Sequence, residues 1–565
     1  MCGIFTLLNP NYENTDKQIE DDIILNEFVK GKNRGPEYSK LETKYLQMIL
    51  GFHRLAINGL NSESNQPIVF EDIVLICNGE IYNYKKLYDN MLSKHNTDSD
   101  CEVIIHLYIK YGIEQTLIML DGVYAFILYD IKQNKLFVAR DPLGIRPLYQ
   151  LFNVDASNNL YGFASELKCL EYFYNLNNND YFIEQFEPGT YSVFQIKNDE
   201  TPKWEQLLVN KLYFIPTFSY NIEPFSKELK DVVLSNISNY LNSAIIKRCN
   251  TTERPVACLL SGGLDSSLIA ALVSNYFKQI SSCKIETYSI GLKDSEDVKY
   301  AKIVAEYIGS KHTEIIVTEQ EMFEAIPEVI KAIESYDTTT VRASIGNYLI
   351  GKYIASHSDA KVIFNGDGSD ELFGGYLYMH KCLDDIDFDK ETRRLLKDIY
   401  LFDVLRSDKS ISSNGLEPRT PFLDKTFVNY VLSIPSHFRN HNNFGKPEKY
   451  LLRESFDIMN FVSYDGRQIL PDNILWRKKE AFSDGVSSKG RSLFEILQEF
   501  IAIEYNNTNP GSYKPCIELE KQYYKTIFEK EFPNCQHILP YFWMPKYTNA
   551  TDPSARTLDF YNKPN

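Results

Sequence analysis

The hydrophobic rhythm of this chain changes partway along, and that change limits the folds open to it. Up to about residue 195 short β-type runs follow one another: GIFTLL, LQMILGFHRLAI, IVLICNGEIYN, YAFILYD, KLFVARD and YSVFQI. Helical periodicity interrupts them only over 84–92 and 101–111. Strands in such succession predict antiparallel sheets layered with helices, an α+β arrangement. From about residue 230 strand and helix alternate instead. A helix over 227–247 precedes VACLL, a helix from Ser266, IETYSIGL, a helix over 298–308, TEIIV, two more helices and KVIFNG. This alternation predicts an α/β parallel sheet. Between the two lie Pro202, Pro216 and Pro224 with no sustained period, so the expected domains are 2–195 and 230–565. The Asn-rich stretch 175–180 reads as a surface loop, and the last hundred residues as irregular and helical.

A chain of 565 residues exceeds what one core can organise. Its 44% hydrophobic and 24% charged residues fit a globular protein. The net charge of −16 argues against a nucleic-acid partner. No apolar run is long enough for a bilayer, and no signal peptide is recognisable, so no membrane is expected. Ten cysteines without a CxxC pair point to neither zinc nor a disulfide framework, and a cytoplasmic location is expected.

The sharpest local signal is LLSGGLDSS, 259–267. An apolar strand runs into Ser261-Gly262-Gly263, where missing Cβ atoms let the backbone turn tightly beside a ligand. The helix from Ser266 then offers unpaired N–H groups and a positive dipole end, a nest for phosphates. It is neither a Walker motif nor GxGxxG. A plain Gly-Gly turn capped by Asp265 or Ser266 is the alternative. The combination resembles the pyrophosphate loop of ATP pyrophosphatases, which implies Asp265 as a ligand of Mg²⁺ on the leaving pyrophosphate.

FNGDGSDELFGG, 364–375, follows another apolar strand and is expected to face the first loop across one crevice. Asp367, Asp370 and Glu371 need a cation between them, and Mg²⁺ with ATP supplies one; the spacing does not fit an EF-hand. Cations for a pyrophosphate would come from Arg477, Lys478 and Lys479, or from Arg342 and Arg419, each of which read alone is a solvated charge.

The chain opens on MCGIF. Removal of Met1 leaves Cys2 with a thiol nucleophile and a free amine base on one residue. In FHRLAI, CNGEIYNY and SDCE, Arg54 is expected to grip a carboxylate. Asn78 and the Gly79 N–H are expected to form an oxyanion hole, and Asp100 to accept an α-ammonium. In isolation Asn78-Gly79 also reads as a hairpin turn.

Together with RGP, LDGVYAF and RDPLGIRPLY, these stretches resemble class II (N-terminal-nucleophile, Ntn) amidotransferases. With YDTTTVRAS, NGDGSDELFGGY, IYLFDVLR, PFLD, WRKKEAFSDG and YFWMPKYTNATDPSARTL, the whole chain resembles the glutamine-hydrolysing asparagine synthetases. The resemblance implies Cys2 as nucleophile, and Arg54, Leu55, Ala56, Ile57, Asn58, Asn78, Gly79, Glu80 and Asp100 as the glutamine site. It implies Leu259, Ser261, Gly262, Gly263, Asp265, Ser266, Ile290, Asn365, Gly366 and Lys479 around ATP, with Asp265 and Asp370 as Mg²⁺ ligands. Arg342 and Arg419 are assigned to the aspartate. Two departures stand out: Asp367, to which the resemblance assigns a catalytic role in forming β-aspartyl-AMP, replaces the family's usual Glu, and Asn33 replaces the common His before Arg34. Gly366 and Gly368 are expected to give the loop freedom to compensate for the shorter Asp367.

The resemblance therefore implies asparagine synthesis from aspartate, glutamine and ATP, with a homodimer as the only macromolecular partner considered. A β-lactam synthetase relative usually lacks Cys2, the pyrophosphate loop excludes a phosphoribosyl-type partner domain, and a non-catalytic descendant would have lost Cys2, Asp265 or SGGLD.

Overall fold

The computed structural model describes residues 2–565 except 11–18, 154–159, 177–180, 198–201, 216–225, 282, 480–484, 488–489, 509–510, 559–560 and 562–565. Met1, Pro216, Pro224, most of the Asn-rich stretch and part of WRKKEAFSDG thus lie outside the described residues.

Two six-stranded sheets occupy the first half. One runs, in spatial order, through Tyr181–Gln185, Tyr149–Asn153, Tyr161–Ala164, Gly3–Leu8, Met48–Arg54 and Tyr38–Tyr45. The other runs through Lys203–Leu212, Thr190–Lys197, Lys135–Arg140, Gly122–Asp130, Ile73–Ile81 and Ile68–Phe70. The named strands of both sheets pair antiparallel. The period of two decides the layers. Ile4 and Leu8 meet Leu50, Val74 and Ile127 between the sheets. Phe5 and Leu7 turn to the opposite face, against Ile24 and Phe28 of the helix Asp21–Val29. On the far side of the second sheet, Leu75, Cys77 and Phe126 pack on Leu87, Ile104 and Leu107 from the helices Tyr84–Met91 and Val103–Met119. This is the layered α+β half expected. The second helix overruns its expected end through a kink at Gly112 (φ 77°).

The strand Lys203–Leu212 was not foreseen. It lies inside the expected boundary region yet pairs with Thr190–Lys197. It is an edge strand with Leu207, Val209 and Leu212 exposed and Trp204 buried, so it lacks the clean alternation that would announce it.

The second half is built on a five-stranded parallel sheet: Lys311–Val317, Glu286–Leu292, Val256–Leu259, Val362–Phe364 and Glu417–Arg419, in that spatial order. Chain order runs outward one way from Val256–Leu259 and the other way from Val362–Phe364. The switch point, where ligands bind in open α/β sheets, lies between those two strands. The loops 260–263 and 365–368 leave their C-terminal ends. Among the described residues no helix is long and apolar enough to cross a membrane.

Two candidate active sites

The first site lies at the start of the strand Gly3–Leu8. Cys2 is buried; its backbone N donates to Asn78 Oδ1 at 3.1 Å, and its Sγ stands 3.8 Å from Leu55 O. Burial pushes the Cys2 thiol pKa up. Asn78 Nδ2 reaches Ser165 Oγ at 3.4 Å, and Ser165 Oγ also accepts from Ile4 N at 3.1 Å. Asn78 and Gly79 sit within the strand Ile73–Ile81, opposite Ala125 and Tyr124, so the hairpin-turn alternative is excluded. Gly79 is required by close approach: a Cβ there would lie 2.5 Å from Val123 O and 2.7 Å from Tyr124 Cβ.

Asp100 accepts from Ile81 N at 2.6 Å through Oδ2, while Oδ1 is 3.4 Å from Asn58 Nδ2. Burial lifts the Asp100 carboxyl to about 6. Glu80 takes Asn58 Nδ2 at 2.6 Å; its pKa is raised well above the usual range by burial and then by the neighbouring Asp100 charge. Arg54 is turned onto its own loop. Its guanidinium donates to Asn61 O at 2.9 Å, Asn65 Oδ1 at 2.6 Å, Asn58 O at 3.3 Å and Gly59 O. It therefore pins the loop 58–65, and a bidentate grip on a ligand would require that loop to let go. Ala56 N is held by Glu37 Oε2 at 2.7 Å, while Leu55 and Ile57 face an apolar cluster that also contains Leu260 and Leu264 of the second half.

The second site is a cavity of about 210 Å³ at the switch point. Leu259, Ser261, Gly263, Asp265, Ser266, Ile290, Asn365, Gly366, Asp367, Asp370 and Lys479 all line it, as expected. Gly262 does not line it. It supplies the turn instead: φ is 74°, and a Cβ would strike Ala301 N at 2.4 Å. Gly366 and Gly368 are required by close approach: a Cβ on Gly366 would lie 2.7 Å from Ser266 N, and one on Gly368 (φ 92°) 2.4 Å from Leu423 Cδ2.

Asp265 accepts from Ser369 Oγ at 2.8 Å and from Lys449 Nζ at 2.7 Å. The same Nζ lies 2.6 Å from Asp370 Oδ1, and Lys479 Nζ reaches Asp370 Oδ2 at 2.5 Å. Burial alone would raise Asp370, but these two ammonium groups outweigh it and hold its carboxyl well below the usual range. Asp370 Oδ1, although beside Lys449, makes no aligned hydrogen bond. Among the described residues no three His, Cys, Asp or Glu converge on a metal position. A pair of converging carboxylates with an orphaned oxygen nevertheless fits Mg²⁺, which takes one or two carboxylates and completes its shell with phosphate and water.

Arg342 and Arg419 are corrected as aspartate ligands. Arg342 is spent on Glu520 (2.8 and 2.6 Å) and Asp552 (2.7 and 2.8 Å), buried away from the cavity. Arg419 is held by Glu417 at 2.8 Å, Thr251 O at 2.8 Å and Arg248 O. The cavity offers Arg406 instead. Its Nη2 meets Asp367 Oδ1 at 3.3 Å and Asp403 Oδ1 at 2.5 Å. Burial raises the Asp367 carboxyl, with Arg406 opposing it. Asn365 Nδ2 donates to Ser407 Oγ at 2.6 Å. Sequence reading also missed Lys449, Tyr376 and Trp543, all lining the cavity. The D-x-x-R spacing inside IYLFDVLR marked one helix face; Lys449 had no local signal.

The family model for asparagine synthase matches residues 236–386 and 384–549, and that for a glutamine amidotransferase domain matches residues 1–201. The asparagine synthetase [glutamine-hydrolyzing] of Gallus gallus is 40% identical over 587 residues, 99% of this chain and 99% of its own. That of Homo sapiens is 39% identical over 580 residues, with 99% of each chain covered. With the amidotransferase and asparagine synthase models matched in that order and relatives 39–40% identical over 99% of this chain, the chain belongs to the glutamine-hydrolysing asparagine synthetase family.

Proposed function

We propose that the chain makes L-asparagine from L-aspartate, glutamine and ATP, releasing glutamate, AMP and pyrophosphate. The observation that carries this is the pairing, in one chain, of Cys2 against Asn78 with a switch-point cavity lined by Ser261, Gly263, Asp265, Asp370 and three lysines. The first site works over 2–195, extended to the strand ending at Leu212, and the second over 230–565.

At the first site the Cys2 thiolate attacks the glutamine carboxamide carbon. Its own α-amine, freed by loss of Met1, takes the thiol proton and passes it to the departing ammonia. Asn78 Nδ2 and the Gly79 N–H hold the tetrahedral oxyanion. Water then cleaves the glutamyl thioester. Asp100 receives the substrate α-ammonium, with Glu80 and Asn58 holding it in place. Because Asp100 sits near pKa 6 through burial, kcat/KM for glutamine should fall about tenfold per unit as pH drops below about 6. It should level off above that pH, where the carboxylate is ionised. In Asp100→Asn the profile should be low and flat over that interval; an unchanged profile contradicts the assignment.

At the second site the aspartate β-carboxylate attacks the α-phosphorus of ATP, giving β-aspartyl-AMP and pyrophosphate. Lys449 and Lys479 draw the leaving pyrophosphate, the loop 261–266 presents its N–H groups to phosphate, and Leu259 and Ile290 flank the nucleotide. Arg406 offers its guanidinium to an aspartate carboxylate, and Asp403 and Glu371 face the α-ammonium. Asp265 and Asp370 would hold Mg²⁺, which when bound would neutralise polyphosphate charge. Ammonia then attacks the acyl carbon and AMP leaves. It arrives through the protein along the apolar contact of Leu55, Ile57 and Val123 with Leu260 and Leu264, which favours neutral NH3 and keeps water from the acyl-adenylate. An assay with all three substrates and Mg²⁺ should yield asparagine, AMP and pyrophosphate in equal amounts; ADP and phosphate in their place would refute the reading.

A further inference from the structure

Behind Cys2 a set of buried charges joins the two halves of the chain. Arg34 is 1% exposed. Its Nε donates to Cys2 O at 3.0 Å, and its Nη1 reaches Glu166 Oε1 at 2.8 Å, Asp408 Oδ2 at 2.8 Å and Ser412 Oγ at 2.9 Å. Asp408 and Ser412 come from the helix Asp403–Ser412 of the second half. A second anchor runs in parallel. Glu334, also of the second half, accepts from Leu167 N at 2.8 Å and Lys168 N at 3.0 Å, fixing the turn that follows Ser165. The oxygen of Ser165 in turn serves Ile4 N and Asn78 Nδ2.

Cys2 is one residue from the chain start, where backbone frays unless it is tied down. Its Sγ makes only a long contact to Leu55 O, so the backbone carbonyl and N–H carry the burden of placing it. The carbonyl is placed by Arg34, and a guanidinium keeps its orientation in a buried setting only while carboxylates hold its fork. We propose that Asp408 is a positioning residue for Cys2. From the other half of the chain it locks the Arg34 guanidinium, and Arg34 locks the carbonyl of the nucleophile. This rests on the reading of Cys2 as nucleophile. The helix serves the nucleotide cavity through different residues, Arg406 on Asp367 and Ser407 on Asn365, so the two duties can be separated by mutation.

The test uses the full chain and measures glutamine hydrolysis beside ammonia-dependent asparagine synthesis. Asp408→Asn should lower kcat for glutamine hydrolysis about tenfold or more, since a ~1 Å misplacement costs up to ~100-fold. KM for glutamine and the ammonia-dependent rate should stay within about threefold, and Asp408→Glu should recover part of the lost kcat. Parallel loss of both activities would reduce Asp408 to a fastener between halves and overturn the proposal. So would a rise in KM at unchanged kcat. If Asp408→Asn does not fold, Ser412→Ala, which removes the neighbouring acceptor of Arg34, should lower the same kcat by about threefold at unchanged KM; unchanged kcat overturns the proposal. Cys2→Ala, run alongside, separates the two failures: if it hydrolyses glutamine like the parent, the nucleophile reading itself has failed.

Discussion

Cys2→Ala is expected to abolish glutamine-dependent asparagine synthesis while leaving ammonia-dependent synthesis within about twofold of the parent. The nucleophile and the adenylating cavity belong to different sheets, and the substitution removes one sulfur atom from a site that the second half touches through Arg34 and the Cys2 carbonyl, which alanine retains. Without the thiol no thioester forms, and the residual rate is that of oxyanion-hole and binding contributions alone, a loss of at least about 10³-fold. Retention of Met1 should have the same consequence, because it ties up the amine that takes the thiol proton. Assays of glutamate release and of asparagine from ammonium chloride, on the same preparation, check both statements. Equal loss of the two activities would contradict the separation of the sites.

The opposite pattern is expected of Lys449→Met: synthesis with either nitrogen source falls at least about 10³-fold, and glutamine hydrolysis survives. The Lys449 side chain is 1% exposed and lies between Asp265 at 2.7 Å and Asp370 at 2.6 Å. Methionine fills the stem but leaves Asp265 without its cation and Asp370 with Lys479 alone, and it removes a group that would draw pyrophosphate charge as it develops. Pyrophosphate release measured with aspartate and ammonia decides the point. A variant that still releases pyrophosphate at near-parent rate would transfer the role to Lys479.

What the sequence made legible was local. SGGLD and NGDGSD announce themselves because strand, glycine and acidic residue follow one another within a few positions, and the parallel sheet brings the two loops together at its switch point. Cys2 and Asn78, 76 residues apart, were paired through chemistry alone, and the packing of one sheet on the other sets the Cys2 N 3.1 Å from Asn78 Oδ1. Arginines defeated the same reasoning. Arg342, Arg406 and Arg419 are indistinguishable as letters, and only the fold sends Arg342 to Glu520 and Asp552, Arg419 to Glu417 and Arg406 into the cavity. Lys449 reaches Asp265 across 184 positions, with no local pattern to mark it. Glycine carries a further signal that the letters hide: Gly366 and Gly368 leave no space for a Cβ beside Ser266 N and Leu423. The strand Lys203–Leu212 was hidden because apolar residues on exposed positions, Leu207, Val209 and Leu212, erase its alternation.

The central claim is that both sites act in one sequence, with nitrogen cut from glutamine at Cys2 joined to aspartate in the distant cavity. It is tested most directly by giving the full chain ATP, Mg²⁺, aspartate and glutamine labelled with ¹⁵N in its side-chain amide, in the presence of unlabelled ammonium, and weighing the product by mass spectrometry. Asparagine carrying ¹⁵N in its side-chain amide well above the label fraction of the free ammonia pool, with AMP and pyrophosphate formed alongside, is the predicted result. Asparagine labelled only to the level of that pool would contradict passage inside the protein, and no asparagine at all would contradict the account as a whole.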